Sequence, residues 1–354
     1  MIVITQLRLF LMLIDWGGVM TKKANRLNVC GYLICGYGLF LAATTVSTHA
    51  QTREVGVSPW GPTDEIGRLN LITPESRADI LSRIDGSAVY DLSVEYYVGM
   101  PSFQALGDPA YKFWMTHTPN GTVVDDPNGQ GREMNERVTY SGSAISMYTH
   151  MGTHIDTLNH FGLNGKIWNG FEAQEYLGDR GWKVTGAEEI PPIIARGVLI
   201  DVAAAKGVDM LSDNYRISRQ DLVDALEIQR VDLEEGDVVL IRTGRMRVYE
   251  DAAAYMVNNP GIGLEAAEFL VEESGAIVIG LDTLSFEVSS SELEDDYIPV
   301  HTYLLGQQGT PILELVYLEE ISEDALYEFA FIGGSLKFRG ADAAPMRPIA
   351  IPLR

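Results

Sequence analysis

Short apolar runs separated by polar, glycine-containing segments characterise the chain after about residue 139. Continuous apolar runs rich in β-branched residues are typical of strands that a sheet buries on both faces. Such runs predict buried strands at 197–202, 237–244, 276–283 and 311–317. Glycine and proline punctuation also predicts strands in the tail, from about 327 to 351. The pattern therefore predicts a mixed α/β fold.

Helix signals lie before the first of these runs and between them. Thr73-Pro74 places a capping residue before a proline at the first helical position, which predicts a helix to about residue 84. Ser218 and Asp221 form a second capping pattern, and Gly275 predicts the end of the helix LEAAEFLVEESG. The run VYDLSVEYYVGM, at 89–100, predicts another strand.

No linker, repeat or low-complexity tract divides residues 51–354, which predicts a single domain. Residues 101–136 are rich in Gly, Pro, Asn and Asp and predict a long excursion from the core. Long loops in compact domains are commonly functional or disordered. The excursion is therefore expected to shape a binding site rather than the hydrophobic core.

Residues 1–50 have the layout of a secretory signal peptide. A basic stretch after Met20 precedes the apolar run VCGYLICGYGLFLAATTV and then small residues. This layout predicts export with cleavage near residue 50, and translation starting at Met20 is an alternative to Met1. Both cysteines, Cys30 and Cys35, fall in this segment, so the mature protein is expected to use neither disulfides nor thiolates.

The charge balance narrows the class of partner. The whole chain carries a net charge of −23, dispersed along the sequence rather than gathered in tails. A strongly acidic surface repels nucleic acid and anionic lipid. We therefore expect a small-molecule partner, no nucleic acid, and no membrane association after cleavage.

Three of the chain's six histidines, His150, His154 and His160, lie within eleven residues together with Asp156. A regular strand would place the first two about 13 Å apart, and a regular helix would turn the aspartate away. Gly152 provides the backbone freedom for a tight bend, after which His154 and Asp156 can share a face. The spacing predicts an irregular metal-binding loop, whereas the alternative is a set of histidines with ordinary hydrogen bonds.

The run HMGTHIDTLNHF resembles the HxGTHxDxPxHF signature of the cyclase family, which includes bacterial kynurenine formamidases and isatin hydrolases. The later runs GLDTLS, PVHTYLL, PILEL and SLKFRGADAAPMRPIAI resemble further family blocks in the same order. The likeness spans about residues 60–352. It implies a swivelling β/β/α single domain with a mixed sheet, dimeric or larger.

The resemblance also implies roles for individual residues. His160 would be the catalytic base, and Asp156 and Glu314 would bridge two metal ions, although a one-ion site is the alternative. The implied metal ligands are His150, His154, Asp156, His301 and Glu314. Nitrogen and oxygen ligands without sulfur suit zinc or manganese.

The sequence differs from the family pattern in two ways that bear on the choice of substrate. Leu158 stands where the signature has proline, so the loop lacks a stiffening residue. The chain is also longer than the compact formamidases, and its segments 101–136 and 162–195 are expected to reshape the pocket. The substrate is therefore not fixed by the resemblance.

The implied mechanism is hydrolysis, in which a metal-activated water attacks a carbonyl and His160 moves the proton to the leaving group. Formamides, lactams and lactones all suit it. Phe161, Trp168 and Trp114 are candidate walls of an aryl-binding pocket, with core packing as the alternative for each. Asp282 and Ser285 are candidates for orienting the ligands, with a strand-end turn as the alternative.

Two other functions are compatible with these residues. An exported metal-binding protein without activity would use the same ligands, but it would not require a spare basic histidine. A cyclase or lyase acting on a polyketide-like carbonyl compound is the second alternative. Product analysis separates water uptake from dehydration.

Overall fold

A nine-stranded mixed sheet forms the centre of the computed structural model, which describes residues 53–354. The predicted signal peptide, with Cys30 and Cys35, lies outside the described residues. The strands are Tyr90–Asp91 (β1), Lys112–His117 (β2), Gly142–Ser146 (β3), His154–Asp156 (β4), Leu177–Gly178 (β5), Gly181–Trp182 (β6), Ile193–Asp201 (β7), Arg216–Ile217 (β8), Val238–Arg242 (β9), Gly261–Ile262 (β10), Val278–Leu281 (β11), Ile312–Glu314 (β12), Glu328–Gly333 (β13), Ala343–Pro345 (β14) and Ile349–Pro352 (β15).

Most helices are short and connect the strands. The α-helices are Pro74–Arg83 (α1), Pro119–Asp125 (α2), Arg132–Arg137 (α3), Ala173–Tyr176 (α4), Val202–Ala205 (α5), Arg219–Gln229 (α6), Ala252–Tyr255 (α7), Leu264–Glu268 (α8), Pro299–His301 (α9) and Glu319–Glu323 (α10). The 3₁₀ turns are Gly67–Leu71, Trp168–Gly170 and Arg245–Val248, and π-helical segments at Phe269–Glu273 and Thr302–Gln307 extend α8 and α9. Within residues 53–354, no helix has the length and apolar character needed to cross a bilayer.

The sheet has a parallel centre with antiparallel flanks. Its strand order is β1-β15-β13-β7-β9-β11-β12-β4-β14, and the four consecutive strands from β7 to β12 run parallel. These four strands coincide with the four continuous apolar runs, so the predicted mixed α/β fold is confirmed. The strands predicted in the tail are also present, as β13, β14 and β15.

Alternate residues of the central strands enter two separate hydrophobic cores. Val239 and Ile241 pack in one core with side chains of α6 and α8, whereas Val238 and Leu240 pack in the other with Phe329. Successive side chains of a strand point to opposite faces, so the sheet is covered on both sides. This double burial explains why the runs are continuously apolar instead of alternating.

The predicted helix caps are confirmed. Thr73 and Ser218 each form a capping box at the start of α1 and α6. Gly275 has a φ of +77° and ends the π-helical extension of α8. Such a left-handed conformation favours glycine because it has no Cβ.

The strand predicted at 89–100 is mostly wrong. Only Tyr90–Asp91 pairs, with β15. The Asp91 carboxylate then accepts hydrogen bonds from the backbone N–H and the hydroxyl of Ser93, and this local turn competes with strand pairing. The excursion at 101–136 is not structureless, because it contains α2, α3 and the strand β2, which pairs with β3 in a separate hairpin.

Candidate metal centre

Three of the predicted ligands lie on one face of the sheet. Strand β4 carries His154 and Asp156 two residues apart, so both side chains point to the same side. Strand β12 runs antiparallel to β4, and Glu314 pairs directly with His154. Directly paired residues share a face, which brings the third ligand beside the other two.

A bend at Gly152 brings His150 back towards this face. Gly152 has a φ of +60°, and a Cβ there would lie 2.3 Å from the Tyr96 ring. Only glycine fits this combination of backbone conformation and close packing. The bend predicted from the sequence is therefore present, although the residues that follow it form a regular strand instead of a loop.

The first group of candidate ligands consists of His150, His154 and Asp156, and all three are buried. Nδ1 of His150 lies 2.8 Å from Oδ1 of Asp156, and Nε2 of His154 lies 3.3 Å from the same oxygen. Nδ1 of His154 lies 2.8 Å from the carbonyl oxygen of Gly152. A carbonyl only accepts, so Nδ1 carries a proton, and Nε2 is the nitrogen that can bind a cation once its own proton is lost.

The second group consists of Asp156, His301 and Glu314, and it shares Asp156 with the first. Oε1 of Glu314 lies 3.6 Å from Nε2 of His301, and Oε2 lies 3.4 Å from Nε2 of His154. Glu314 thus faces a histidine of each group. The five ligands that the resemblance implies are therefore brought together, and Asp156 is common to both groups.

The unpartnered atoms of this cluster fit a divalent cation. Four buried atoms of the cluster are close to one another but make no well-aligned hydrogen bond to any described residue: Nε2 of His150, Nε2 of His154 and both carboxylate oxygens of Asp156. Buried polar atoms without partners are costly, and they commonly mark an ion or water site. Imidazole nitrogens and carboxylate oxygens are the donors that a divalent transition metal accepts.

His160 lies beside the first group and borders a cavity. Its ring centroid is 4.0 Å from that of His150, and its Nε2 is 3.9 Å from Oδ2 of Asp156. His150 and His160 also form a third candidate ligand group with Asp342, whose Oδ1 lies 3.3 Å from Nε2 of His150. Sequence reasoning missed Asp342, although it lies in the closing block that resembles the family.

Electrostatics divides the histidines into two kinds. Burial lowers the pKa of His160 to about 3, assisted by the charge of His150, so this imidazole is neutral at pH 7. Burial also disfavours charge on His154 and His301, but neighbouring carboxylates outweigh it and raise the pKa of each to about 10. Protons thus occupy positions that a cation would take, and metal binding would release them. His160 alone has the protonation state of a base.

Glu287 is the partner that sequence reasoning missed at His301. Its Oε1 lies 2.7 Å from Nδ1 of His301, and the carboxylate also accepts the backbone N–H of His301. Asp282 does not have the orienting role predicted for it, because its carboxylate accepts hydrogen bonds from Thr243 and Gly244 at the end of β9. The strand-end alternative is correct for Asp282.

Replacing Glu287 by Gln is expected to weaken metal binding about 10- to 100-fold, the usual effect of losing an outer partner of a histidine ligand. The neutral amide no longer strengthens His301 as a ligand, although it preserves the shape of the side chain. Titration of the metal-free protein with Zn²⁺ or Mn²⁺ measures the change. Equal affinity in the variant and the parent protein would contradict the role of Glu287.

A cavity of about 320 Å³ opens beside the cluster. Phe161 and Ser285 line it, as do His150, His160, His301 and Glu314. Trp168 does not, because it is buried in the core and its indole N–H donates to Asp64 over 3.1 Å. Trp114 lies on the β2–β3 hairpin, half exposed and outside the cavity wall. Of the three aromatic candidates, only Phe161 is placed to contact a substrate.

Trp168→Phe is expected to lower the free energy of unfolding by about 1–3 kcal/mol, because it removes a buried hydrogen bond and packed volume. KM is expected to stay unchanged. The matched variant Trp114→Phe, at an exposed site, is expected to change stability by less than about 0.5 kcal/mol. Chemical denaturation and steady-state kinetics measure both. A raised KM with unchanged stability in Trp168→Phe would restore its predicted contact with substrate.

A buried set of nitrogen and oxygen ligands, a neutral histidine and an adjoining cavity together define a metal-dependent hydrolase. The model of the Cyclase family matches residues 90–288, and the chain belongs to this family. This match confirms the resemblance found in the sequence. Its range includes the three clustered histidines and Asp156 but ends before His301 and Glu314.

Relatives and solved structures agree with this assignment. A kynurenine formamidase of Bacillus cytotoxicus is 28% identical over 209 residues, which cover 59% of this chain and 79% of the relative. The crystal structure of a novel cyclase has a TM-score of 0.74 and 26% identity, covering 84% of this chain and all of the other. Isatin hydrolase A from Ralstonia solanacearum shares the fold with a TM-score of 0.57 at 21% identity, covering 75% of this chain and 92% of that one.

Proposed function

We propose that this hydrolase cleaves the C–N or C–O bond of an aryl formamide, a lactam or a lactone. The observation that carries the proposal is the position of His160, which borders the cavity while its Nε2 lies 3.9 Å from Oδ2 of Asp156 in the ligand cluster. The names of the relatives support the substrate class, since kynurenine formamidases and isatin hydrolases act on formamide and lactam carbonyls respectively.

We propose zinc or manganese as the ion, with one or two per subunit. Two ligand groups that share Asp156 support the two-ion form. A divalent ion bound there supplies a Lewis acid that polarises a carbonyl and makes water a better nucleophile at neutral pH.

The chain's own residues account for the remaining steps. His160 accepts a proton at its imidazole from the attacking water and returns it to the leaving nitrogen or oxygen. Phe161 packs edge-on against His160, with ring centroids 4.4 Å apart, and offers an apolar surface to an aryl group. The cavity volume of about 320 Å³ suits a small bicyclic or monocyclic compound.

Removing the metal tests the proposal directly. Chelation is expected to abolish hydrolysis of a panel of formanilide, isatin and an aryl lactone, and added Zn²⁺ or Mn²⁺ is expected to restore it. Product masses should show uptake of one water, whereas dehydration would indicate a lyase. Hydrolysis that is indifferent to chelation would overturn the mechanism.

Metal affinity is expected to fall as the pH falls. The raised pKa values of His150, His154 and His301 mean that each imidazole must lose a proton before it binds a cation. Acid therefore competes with the metal, and binding releases protons. Calorimetric titrations in buffers of different ionisation enthalpy count these protons, and a pH-independent affinity would contradict the assigned ligands.

We further propose that the mature protein is exported and forms a homodimer or a larger homo-oligomer. The basic and apolar pattern after Met20 supports export. The β2–β3 hairpin supports self-association, because Phe113, Trp114 and Ile145 are about half exposed and a lone two-stranded hairpin is marginally stable. Mass spectrometry of the N-terminus and light scattering of the purified protein test the two proposals.

A further inference from the structure

Neutral side chains form most of the described wall of the cavity beside the metal centre. Its neutral polar side chains are Tyr148, Asn258, Asn259, Ser285 and Ser289, and its apolar ones are Phe103, Leu106, Phe161, Met256, Leu284 and Ile298. None of the described residues that line it is lysine or arginine, and its basic groups are the three histidines of the metal centre.

The remaining charge in the wall, outside the metal centre, is negative. Asp108 lines the cavity and is only half buried. Tyr148 lines the same cavity as Asp108. A ligand in the cavity is therefore exposed to the charge of the Asp108 carboxylate.

A carboxylate on the substrate would lack a partner in such a wall. Placing an unpaired charge in a partly desolvated site is costly, and a nearby like charge adds repulsion. Among the described residues around the cavity, the metal centre is the only strong attraction for an anion. The reacting carbonyl must occupy that same place. A carboxylate drawn there would bind in an unproductive orientation.

We infer that the enzyme selects uncharged or cationic carbonyl substrates and discriminates against carboxylates, with Asp108 as a specificity-determining residue. This inference rests on the proposed hydrolytic function. It separates the chain from a kynurenine formamidase in the strict sense, whose substrate carries an amino-acid carboxylate. The chemical class that fits is an aryl formamide or lactam whose ring substituents carry no negative charge.

A matched set of substrates tests the inference. The compounds 3-formamidobenzamide and 3-formamidobenzoate have nearly the same shape and differ in charge, and 3-(aminomethyl)formanilide provides the cation. We expect kcat/KM for the benzamide to exceed that for the benzoate by at least about tenfold, with the cation no worse than the benzamide. The benzoate is also expected to inhibit turnover of the benzamide.

Variants test whether Asp108 in the cavity wall causes the discrimination against the benzoate. Asp108→Asn is expected to raise the benzoate-to-benzamide ratio of kcat/KM several-fold and to lower the preference for the cation. The matched control Asp79→Asn, an exposed carboxylate on α1, should leave both ratios unchanged. Dissociation constants of the intact compounds for the His160→Ala variant, measured by calorimetry, provide a readout without turnover.

The outcomes distinguish this inference from the proposed function. Hydrolysis of the benzoate at a rate equal to or above that of the benzamide would overturn the inference and leave the hydrolase intact. If Asp108→Asn leaves the benzoate-to-benzamide ratio of kcat/KM unchanged, Asp108 is not a specificity-determining residue. No turnover of any formamide or lactam, with metal fully bound, would contradict the proposed function itself.

Discussion

Asp156→Asn is expected to abolish metal binding at both ligand groups. It is also expected to reduce kcat/KM by more than about 100-fold, which is the largest effect usually seen when only an outer partner of a ligand is lost. Asp156 is the only residue common to the two groups that contain His154 and His301. Asparagine keeps the size of the side chain, but it replaces one anionic oxygen with a donor nitrogen that repels a cation. One isosteric change thus acts on the whole centre.

Metal content per subunit, measured by plasma mass spectrometry, is the primary readout for Asp156→Asn. The variant should retain a folded structure, since no covalent framework or large volume is lost, and circular dichroism checks this. Asp79→Asn is a suitable control because that carboxylate is exposed on α1. Full metal occupancy in the Asp156 variant would contradict the role of Asp156 as a metal ligand shared by both groups.

His160→Ala is expected to keep the metal and to lower kcat about 10²- to 10⁴-fold, the range for loss of a positioned acid–base group. His160 is the one histidine of the cluster whose pKa is lowered, chiefly by burial, so its imidazole is neutral at pH 7. The two candidate ligand groups that share Asp156 contain His150, His154 and His301 but not His160. The variant should therefore bind metal as the parent protein does but turn over substrate much more slowly.

His117→Ala is the matched control for His160→Ala, because His117 packs against Tyr140 with ring centroids 5.4 Å apart and belongs to none of the candidate ligand groups. It should change neither metal content nor kcat. A His160 variant that loses metal and activity together would instead make His160 a ligand in the third group, with His150 and Asp342. Metal analysis and kinetics on the same preparation decide between the two roles.

The parts of the fold that depend on local sequence could be predicted well. The four buried strands followed from continuous apolar runs, the helix start at Thr73 from a capping residue before a proline, and the helix start at Ser218 from Asp221 three positions later. The bend at Gly152 followed from the need to bring distant ligands together. Each of these features depends on neighbours in the chain, so the information is present in a short window.

The parts that depend on tertiary contacts could not be predicted. Glu287 precedes His301 by fourteen residues without any spacing rule, and Asp342 reaches His150 only after β14 has paired with β4. Trp168 shows the opposite error, in which a residue near the motif in sequence was predicted to line the pocket. Trp168 is close to the motif in sequence but lies in the core, where Asp64 accepts its N–H. Proximity along the chain does not decide which side of a wall a residue occupies.

Three of the five proposed ligands, His154, Asp156 and Glu314, lie on β4 and β12 within the central sheet. An ion held there can bind only the native arrangement of these strands, so its occupancy and global unfolding are thermodynamically linked. At a free metal concentration 100 times the dissociation constant, this linkage adds about 2.7 kcal/mol to the stability. The melting temperature of the protein thus becomes a gauge of the metal supply in its surroundings.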